Sequence, residues 1–486
     1  MITAAQLVAL LPLIVLSTGT VAVMLAIAFR RDHALIFSLT VLSLVVTLVA
    51  VIAASGLAPK PVTALLIMDQ YALFFIGLTS AGALATVALC AAYLEIRPDP
   101  PEEFYVLVLT GLLGAGVLVA SSHFASLFLG LEILSVSLFA LIAYPRWEKR
   151  ALEAAVKYLV LSGVSSGLLL FGMALVYAEL GVLEFAAMRV PALTFPVVAG
   201  ILMIVSALGF KLSLVPFHLW TADVYQGAPA PVTALLATVS KGAVFALLLR
   251  YGVAGGVVWH PALLKVVTLI AAASILVGNL LALRQNNLKR ILAYSSIAHM
   301  GYLLIALVAA GRIGASLAAE SMAFYLAAYF VTTLAAFGVI MVLSPANREA
   351  EFLEDYTGLF WTRPGLATVL TVAILSLAGI PLTAGFIGKF YLFAAGSAGS
   401  LWTLLALLIV GSGIGLYYYL RVVFQMTQAP LARTHLPIDH RDSLGGNLVL
   451  ALLTFLMIGL GIAPSQFINT ILPVSQSISV ATRIVP

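Results

Sequence analysis

Charge is the scarcest commodity in this chain. Only 9% of its 486 residues are Asp, Glu, Lys or Arg, where about 25% is ordinary for a soluble protein. Cysteine is nearly absent. Cys90 stands alone, which excludes an intramolecular disulfide, a cysteine zinc site and an iron–sulfur cluster. No glycine fingerprint for a dinucleotide follows a strand anywhere. The sequence thus shows no redox centre of its own. No basic n-region precedes the first apolar run, so the N-terminus reads as a retained spanning helix rather than a cleaved signal. The longest polar segments, 345–363 and 427–446, are too short for a separate domain.

What is present is apolar. Hydrophobic residues make up 63% of the chain and the mean hydropathy is +1.15, the signature of an all-α polytopic membrane protein. A spanning helix needs about 20 apolar residues, and division at the polar punctuation yields roughly fourteen such stretches. They lie near 5–28, 34–54, 70–94, 104–121, 123–144, 155–179, 196–219, 231–254, 262–283, 292–309, 318–343, 366–392, 401–425 and 447–471. The chain then ends soon after its last span, with no lateral element expected.

The net charge of +5 comes from loops and implies no nucleic-acid partner. Arg30, Arg31, Arg97, Arg146, Lys149, Arg150, Arg284, Lys289, Arg290, Arg348, Arg363, Arg433 and Arg441 fall in alternate loops. The opposite loops hold only Lys60, Arg189, Arg250, Lys265, Arg312 and Arg483. The positive-inside rule then puts the basic loops in the cytoplasm and both termini outside.

The costly residues are within the spans. An ionisable side chain at membrane depth costs roughly 3 kcal/mol on insertion scales, and a proline inside a helix costs about as much. Gly209-Phe210-Lys211-Leu212-Ser213-Leu214-Val215-Pro216-Phe217-His218-Leu219-Trp220 carries both, and Leu377-Ala378-Gly379-Ile380-Pro381-Leu382-Thr383-Ala384-Gly385-Phe386-Ile387-Gly388-Lys389-Phe390 repeats the pattern with the order reversed. Each is the fourth helix of a five-helix block. Five is odd, so successive blocks enter from opposite sides, as in an inverted repeat. The expected organisation is one membrane domain over 1–486: three helices in 1–100, a first block in 104–254, a second in 262–425 and a last helix in 447–471.

Glu132 lies mid-way along its apolar run and Lys211 is its natural partner. A carboxylate and desolvation pull a lysine in opposite directions, which suits it to load and release a proton. Lys241 and Lys389 add two more buried cations, and His299 adds a proton relay. Lys157, near the start of the sixth span, either snorkels or feeds protons inward. The plain alternatives are snorkelling lysines, a packing ion pair and a packing histidine. Asp69 reads as a helix cap and His123 as a surface residue. His218, Asp223 and Gln226 fall at the cytoplasmic end of the seventh helix and its loop. His260, His435 and His440 are loop residues without metal-ligand spacing.

Several stretches resemble a known family. They are Phe128-Leu129-Gly130-Leu131-Glu132, the run from Gly209 to Trp220, Asp223-Val224-Tyr225-Gln226-Gly227-Ala228-Pro229, Asn287-Leu288-Lys289-Arg290, Tyr294-Ser295-Ser296-Ile297-Ala298-His299-Met300-Gly301-Tyr302 and Gly385-Phe386-Ile387-Gly388-Lys389-Phe390-Tyr391. Together they are similar to the antiporter-like subunits of bacterial NADH-quinone oxidoreductase, respiratory complex I, and to subunit N among them. The absence of a long lateral helix favours N or M over L, and Gln226-Gly227-Ala228-Pro229-Ala230-Pro231 favours N. The resemblance implies a fold of about fourteen helices, with broken seventh and twelfth helices and two inverted five-helix blocks. It implies a non-redox, proton-translocating subunit in the bacterial inner membrane, beside subunits M and K, with no cofactor in this chain. FMN, iron–sulfur clusters and quinone belong to other subunits. It places the proton path on Glu132, Lys211, Lys241, His299 and Lys389. Two other function classes fit the same residues: a free-standing cation/proton antiporter, and a membrane scaffold that conducts nothing.

Overall fold

The computed structural model describes residues 3–56, 60–188, 194–256, 260–429 and 444–481. Arg189, Arg433, His435, His440, Arg441 and Arg483 lie outside them. The helices are α1 (Ala4–Phe29), α2 (His33–Ser55), α3 (Gln70–Glu95), α4 (Glu102–Val119), α5 (Phe124–Ile142), α6 (Lys149–Leu180), α7 (Phe195–Lys211), α8 (Trp220–Gly227), α9 (Ala230–Gly255), α10 (Pro261–Ala282), α11 (Leu288–Ile313), α12 (Ala315–Leu343), α13 (Leu359–Thr362), α14 (Pro364–Ala378), α15 (Ala384–Ala398), α16 (Trp402–Thr427), α17 (Leu444–Ile462) and α18 (Ser465–Ala481). Among the described residues the only sheet is the pairing of Lys60–Pro61 with Ile67–Met68.

Twelve of these helices are long and apolar enough to cross a membrane. Two further passes are each built from a pair of shorter helices, α7 with α8 and α14 with α15. The fourteen apolar stretches of the sequence are therefore present, and the seventh and twelfth are the broken ones. The last stretch needs correction. It breaks at Pro464, which cannot continue a helix interior, and a further amphipathic helix, α18, follows. Buried Ile471, Val474 and Ile478 line one side of it. Ser477 accepts the Tyr71 N–H at the start of α3.

The start signals are side-chain caps. Asp32, Asp69 and Asn287 each accept a backbone N–H in the first turn of the helix that follows, which satisfies one orphan donor. His123 and His260 do the same through Nδ1 for α5 and α10. Glycine sets the closest helix contacts. A Cβ on Gly114 would lie 2.6 Å from the Leu134 nitrogen, and one on Gly130 2.7 Å from the Leu118 nitrogen. Gly278 and Gly301 bring α10 against α11 in the same way. Small residues let membrane helices approach to backbone contact, and both five-helix blocks begin with such a pair.

Burial is concentric. The apolar cores of α9, α11 and α12 are 100%, 94% and 89% buried, against 28% for α1 and α2 and 22% for α17. Polar groups within these three apolar cores are thus far from the protein surface.

One charged contact seals the side opposite the basic loops. Arg250, at the end of α9, makes a two-pronged ion pair with Asp69: Nη2–Oδ1 is 2.7 Å and Nη1–Oδ2 2.9 Å. Its Nε donates to the Val119 carbonyl at the end of α4, and its guanidinium lies 4.8 Å from the centre of the Tyr71 ring. Both side chains are almost wholly buried. The pair ties α3, α4 and α9 together. Asp69→Ala strands a buried guanidinium and should cost about 3–5 kcal/mol. The expected outcome is a lower thermal midpoint for the purified protein; a midpoint equal to that of the parent would deny the pair this role.

Candidate functional site

The two helix breaks are the starting points. After Lys211 the backbone turns left-handed at Ser213 (φ 61°), and after Ala378 at Leu382 (φ 71°). A non-glycine residue in that region costs about 1–2 kcal/mol. The freed backbone groups find partners inside the protein, as a low-dielectric surround demands. At the first break the Val215 N–H donates to Ser274 Oγ (3.0 Å) and Trp220 Nε1 to the Phe210 carbonyl (3.1 Å). At the second the Gly385 N–H donates to Ser376 Oγ (3.1 Å), and the Lys389 ammonium itself donates to the Ala378 carbonyl (2.7 Å). Only glycine allows this second closure: a Cβ at Gly379 would come within 3.1 Å of Lys389 Nζ, and one at Gly385 would overlap the Ser376 carbonyl.

Lys211 and Glu132 do not form the expected ion pair. Lys211 Nζ donates to Ser135 Oγ (2.6 Å) on α5 and Ser162 Oγ (2.5 Å) on α6. Glu132 instead accepts from Ser166 Oγ at 2.5 Å. Ser135 is three residues beyond Glu132 on α5 and Ser166 four beyond Ser162 on α6, so the serines that hold Lys211, which is on α7, lie one turn from Glu132 and its partner. Lys211 is buried, while the Glu132–Ser166 contact is only part-buried. Lys157 stands apart. It pairs with Glu153 (2.7 Å) and Asp223 (3.1 Å) in an open cleft of about 220 Å³, which Arg150, Gln226 and Gly227 also line.

The central row follows. Lys241 Nζ donates to Ser296 Oγ at 2.6 Å. Tyr329 donates to the same oxygen at 2.9 Å, and the Tyr225 hydroxyl lies 3.4 Å away. A π-type turn over Leu236–Ser240 immediately precedes Lys241; such turns insert a residue into a helix and are frequent at functional sites. One turn along α11, His299 Nδ1 pairs with the Tyr325 hydroxyl (2.6 Å) and Nε2 with Tyr419 (3.3 Å). Tyr419 in turn pairs with Ser295. Among the described residues no hydrogen bond joins Lys211 to Lys241 directly. Helix α8 spans that interval: Trp220 packs on Tyr158 (4.7 Å between centroids), beside Lys211, and the Lys241 ammonium lies 5.4 Å from the centre of the Tyr225 ring.

The structure adds residues that the sequence reading passed over. The Gln226–Pro229 loop is clamped from the basic side. Buried Lys289 donates to the carbonyls of Gln226 (3.0 Å) and Ala228 (2.6 Å) and to Glu349 Oε2 (2.6 Å). Glu349 also accepts from Tyr93 and from the Ala230 N–H. Glu351 accepts from Arg150, Gln226 and Asn287, and Arg290 bridges Asp223 and Gln226. Burial pushes the Glu349 carboxyl up, but the Lys289 and Arg97 charges and the Lys289 and Tyr93 hydrogen bonds outweigh it and hold the group below its ordinary value. The sequence offered one signal: an acidic run, Glu349, Glu351, Glu354 and Asp355, in the polar segment 345–363, of which Glu349 meets Lys289 only once the chain is folded.

Comparison with known proteins points one way. A family described as "NADH:quinone oxidoreductase/Mrp antiporter, TM" matches residues 121–415, which contain Glu132, Lys211, Lys241, His299 and Lys389. A curated protein from Methylococcus capsulatus, "NADH-quinone oxidoreductase subunit N", is 56% identical over 86% of each chain. One of the same name from Ectopseudomonas mendocina is 51% identical over 96% of each. A chain of respiratory complex I from Thermus thermophilus, solved with bound aureothin, superposes with a TM-score of 0.81 at 32% identity, over 94% of this chain and 98% of that one. A chain of the Mrp complex from Dietzia shares the fold (TM-score 0.86, 19% identity, 99% of each chain).

The clamp makes a pH prediction. A depressed carboxyl contributes stability that is fully present above its unfolded value, about 4.3 for Glu, and is lost as pH falls through the folded value. Glu349→Gln should therefore lower the thermal midpoint at pH 7, and the gap to the parent should close as the pH drops below the ordinary carboxyl range. A gap that is constant with pH would show that the charge of Glu349 contributes nothing.

Proposed function

The chain belongs to the family of NADH-quinone oxidoreductase subunit N, and on that premise we propose that it is a proton-translocating membrane subunit whose own buried side chains form the route. Protons enter from the cytoplasmic side near Lys157, where the open cleft admits water. Lys211 is the first buried acceptor, with Glu132 one turn away. Lys241, His299 and Lys389 follow, and release is to the periplasm beyond the second break. The chain carries no redox centre; NADH is oxidised and quinone reduced elsewhere in the complex, and conformational or electrostatic coupling supplies the drive. The setting is the bacterial inner membrane with both termini periplasmic, and the neighbours are subunits M and K. The apolar outer side of α6, with Val156, Val160, Val164 and Phe171 exposed, suits such a neighbour or lipid.

One observation carries this reading. Lys241, Ser296, Tyr329, His299 and Tyr325 form a polar row in the three most deeply buried helices, α9, α11 and α12, with Tyr225 of α8 beside it. A scaffold has no need of such a row, since each ionisable group at that depth costs roughly 3 kcal/mol. Each link is a hydroxyl or imidazole, and both can donate and accept a proton.

Lys211→Met, Lys241→Met and Glu132→Gln, each in the assembled complex, should lower NADH-driven proton uptake into inverted vesicles per electron transferred. NADH oxidation by an artificial acceptor should persist. An unchanged proton-to-electron ratio in all three would sink the route.

A further inference from the structure

The second break is held at its sharpest point by a helix from elsewhere in the chain. Between α14 and α15 the backbone turns left-handed at Leu382 (φ 71°). A non-glycine residue keeps that conformation only where its surroundings over-determine it. Leu382 is 68% exposed, so its side chain contributes little and its backbone must be fixed by contact. Thr383 does part of this from within, donating its hydroxyl to the Ile380 carbonyl at 2.7 Å. The rest comes from Gly461, near the end of α17. A Cβ on Gly461 would overlap the Leu382 carbonyl and lie 2.6 Å from the Thr383 carbonyl carbon. The two backbones are therefore in direct contact. Gly459, two residues earlier on the same helix, faces open space.

The chain beyond Gly461 reaches two further points. Phe467, in the first turn of α18, packs on Phe74 of α3 and Phe324 of α12, with ring centroids 6.3 Å and 5.6 Å away. Phe324 in turn stacks on Tyr391, 5.3 Å between centroids and 16° from parallel. Tyr391 is on α15, two residues past Lys389, and its carbonyl accepts from Ser321 Oγ of α12 at 3.1 Å. Toward the other end of α18, Ser477 accepts the Tyr71 N–H at 3.1 Å, beside the Asp69–Arg250 pair. Helices α17 and α18 lie outside both 104–254 and 262–425. They nevertheless reach the second half of the broken pass on both sides of Lys389: directly at the turn before it, and through Phe324 after it.

We propose that α17 and α18 form a brace on the second break, with Gly461 and Phe467 as positioning residues that keep Lys389 on the Ala378 carbonyl. The inference rests on the route given above, in which Lys389 is the last buried link. The ammonium–carbonyl contact of 2.7 Å joins the two halves of the pass, since Ala378 closes α14 and Lys389 lies more than a turn into α15. The halves hinge at residues 379–383, so a displacement of Leu382 tilts one against the other and lengthens that contact. A brace whose far end meets Tyr71, beside the Asp69–Arg250 pair, denies the turn this freedom. Ser213, the left-handed residue of the first break, is fully buried and is fixed by its surroundings; exposed Leu382 needs the outside support.

The test uses the assembled complex. Gly461→Ala should speed amide hydrogen exchange across residues 379–386 by about tenfold, because overpacking promotes local opening. In inverted vesicles its proton-to-electron ratio should fall toward that of Lys389→Ala, while NADH oxidation by an artificial acceptor and the amount of complex in the membrane persist. Gly459→Ala should match the parent in every readout. Phe467→Leu keeps an apolar side chain and should move exchange and ratio in the same direction; it decides the matter if Gly461→Ala does not assemble. Parent-like exchange across 379–386 in these variants overturns the brace. Faster exchange with a full ratio overturns the positioning role. A full ratio in Lys389→Ala overturns the route instead, and the exchange result then decides the brace by itself.

Discussion

A hydrocarbon surround leaves no partner for a broken helix, and this constraint organises the molecule. Each interruption must be satisfied from within. Both breaks are accordingly closed by side chains: Ser274 and Trp220 at the first, Ser376 and Lys389 at the second. Lys389 meets two needs at once. Its ammonium would be costly alone at that depth, and the Ala378 carbonyl would be costly without a donor. Their contact offsets both, and it requires glycine at 379 and 385.

The partners of the buried lysines matter as much as their burial. A lysine locked to a carboxylate has a contact that suits only its charged form. Lys211 and Lys241 rest on serine hydroxyls instead. A hydroxyl accepts from an ammonium and can rotate to donate to an amine, so the contact survives either protonation state. Glu132 makes no ion pair with Lys211 and rests on Ser166 instead. Lys211 and Glu132 thus stand near each other without a direct ion pair, each on its own serine contact.

Much of this was legible in the sequence. Apolar length and loop charge located all fourteen passes, because a bilayer fixes helix length so tightly. A proline interruption in an apolar run that also carries a lysine located both breaks. Asp69 read correctly as a cap. What stayed hidden depends on distance between helices. Asp69 also pairs with Arg250, 181 residues away, and Glu349 with Lys289, 60 away; no local pattern records either. The π-type turn before Lys241 has no composition signal. Helix α18 was missed because the last apolar run was read as one span through Pro464. Serine was underweighted throughout: Ser135, Ser162, Ser166, Ser296 and Ser376 look like filler in an apolar run, yet they are the contacts on which the charges rest.

The charges sort into two kinds by what they touch. At the two faces of the membrane stand direct ion pairs, Asp69 with Arg250 on one side and Glu349 with Lys289 on the other. Breaking such a pair leaves a buried charge uncompensated, at about 3–5 kcal/mol, so these contacts resist change and hold the helix ends. Between them every ionisable group meets a hydroxyl, a phenol or a backbone carbonyl, and those contacts can reverse direction. A membrane protein that moves protons must keep its fixed charges fixed while its mobile ones change. Here the distinction is made by the partner rather than by the residue type, since lysine stands in both settings: Lys289 against a carboxylate, Lys241 against a hydroxyl.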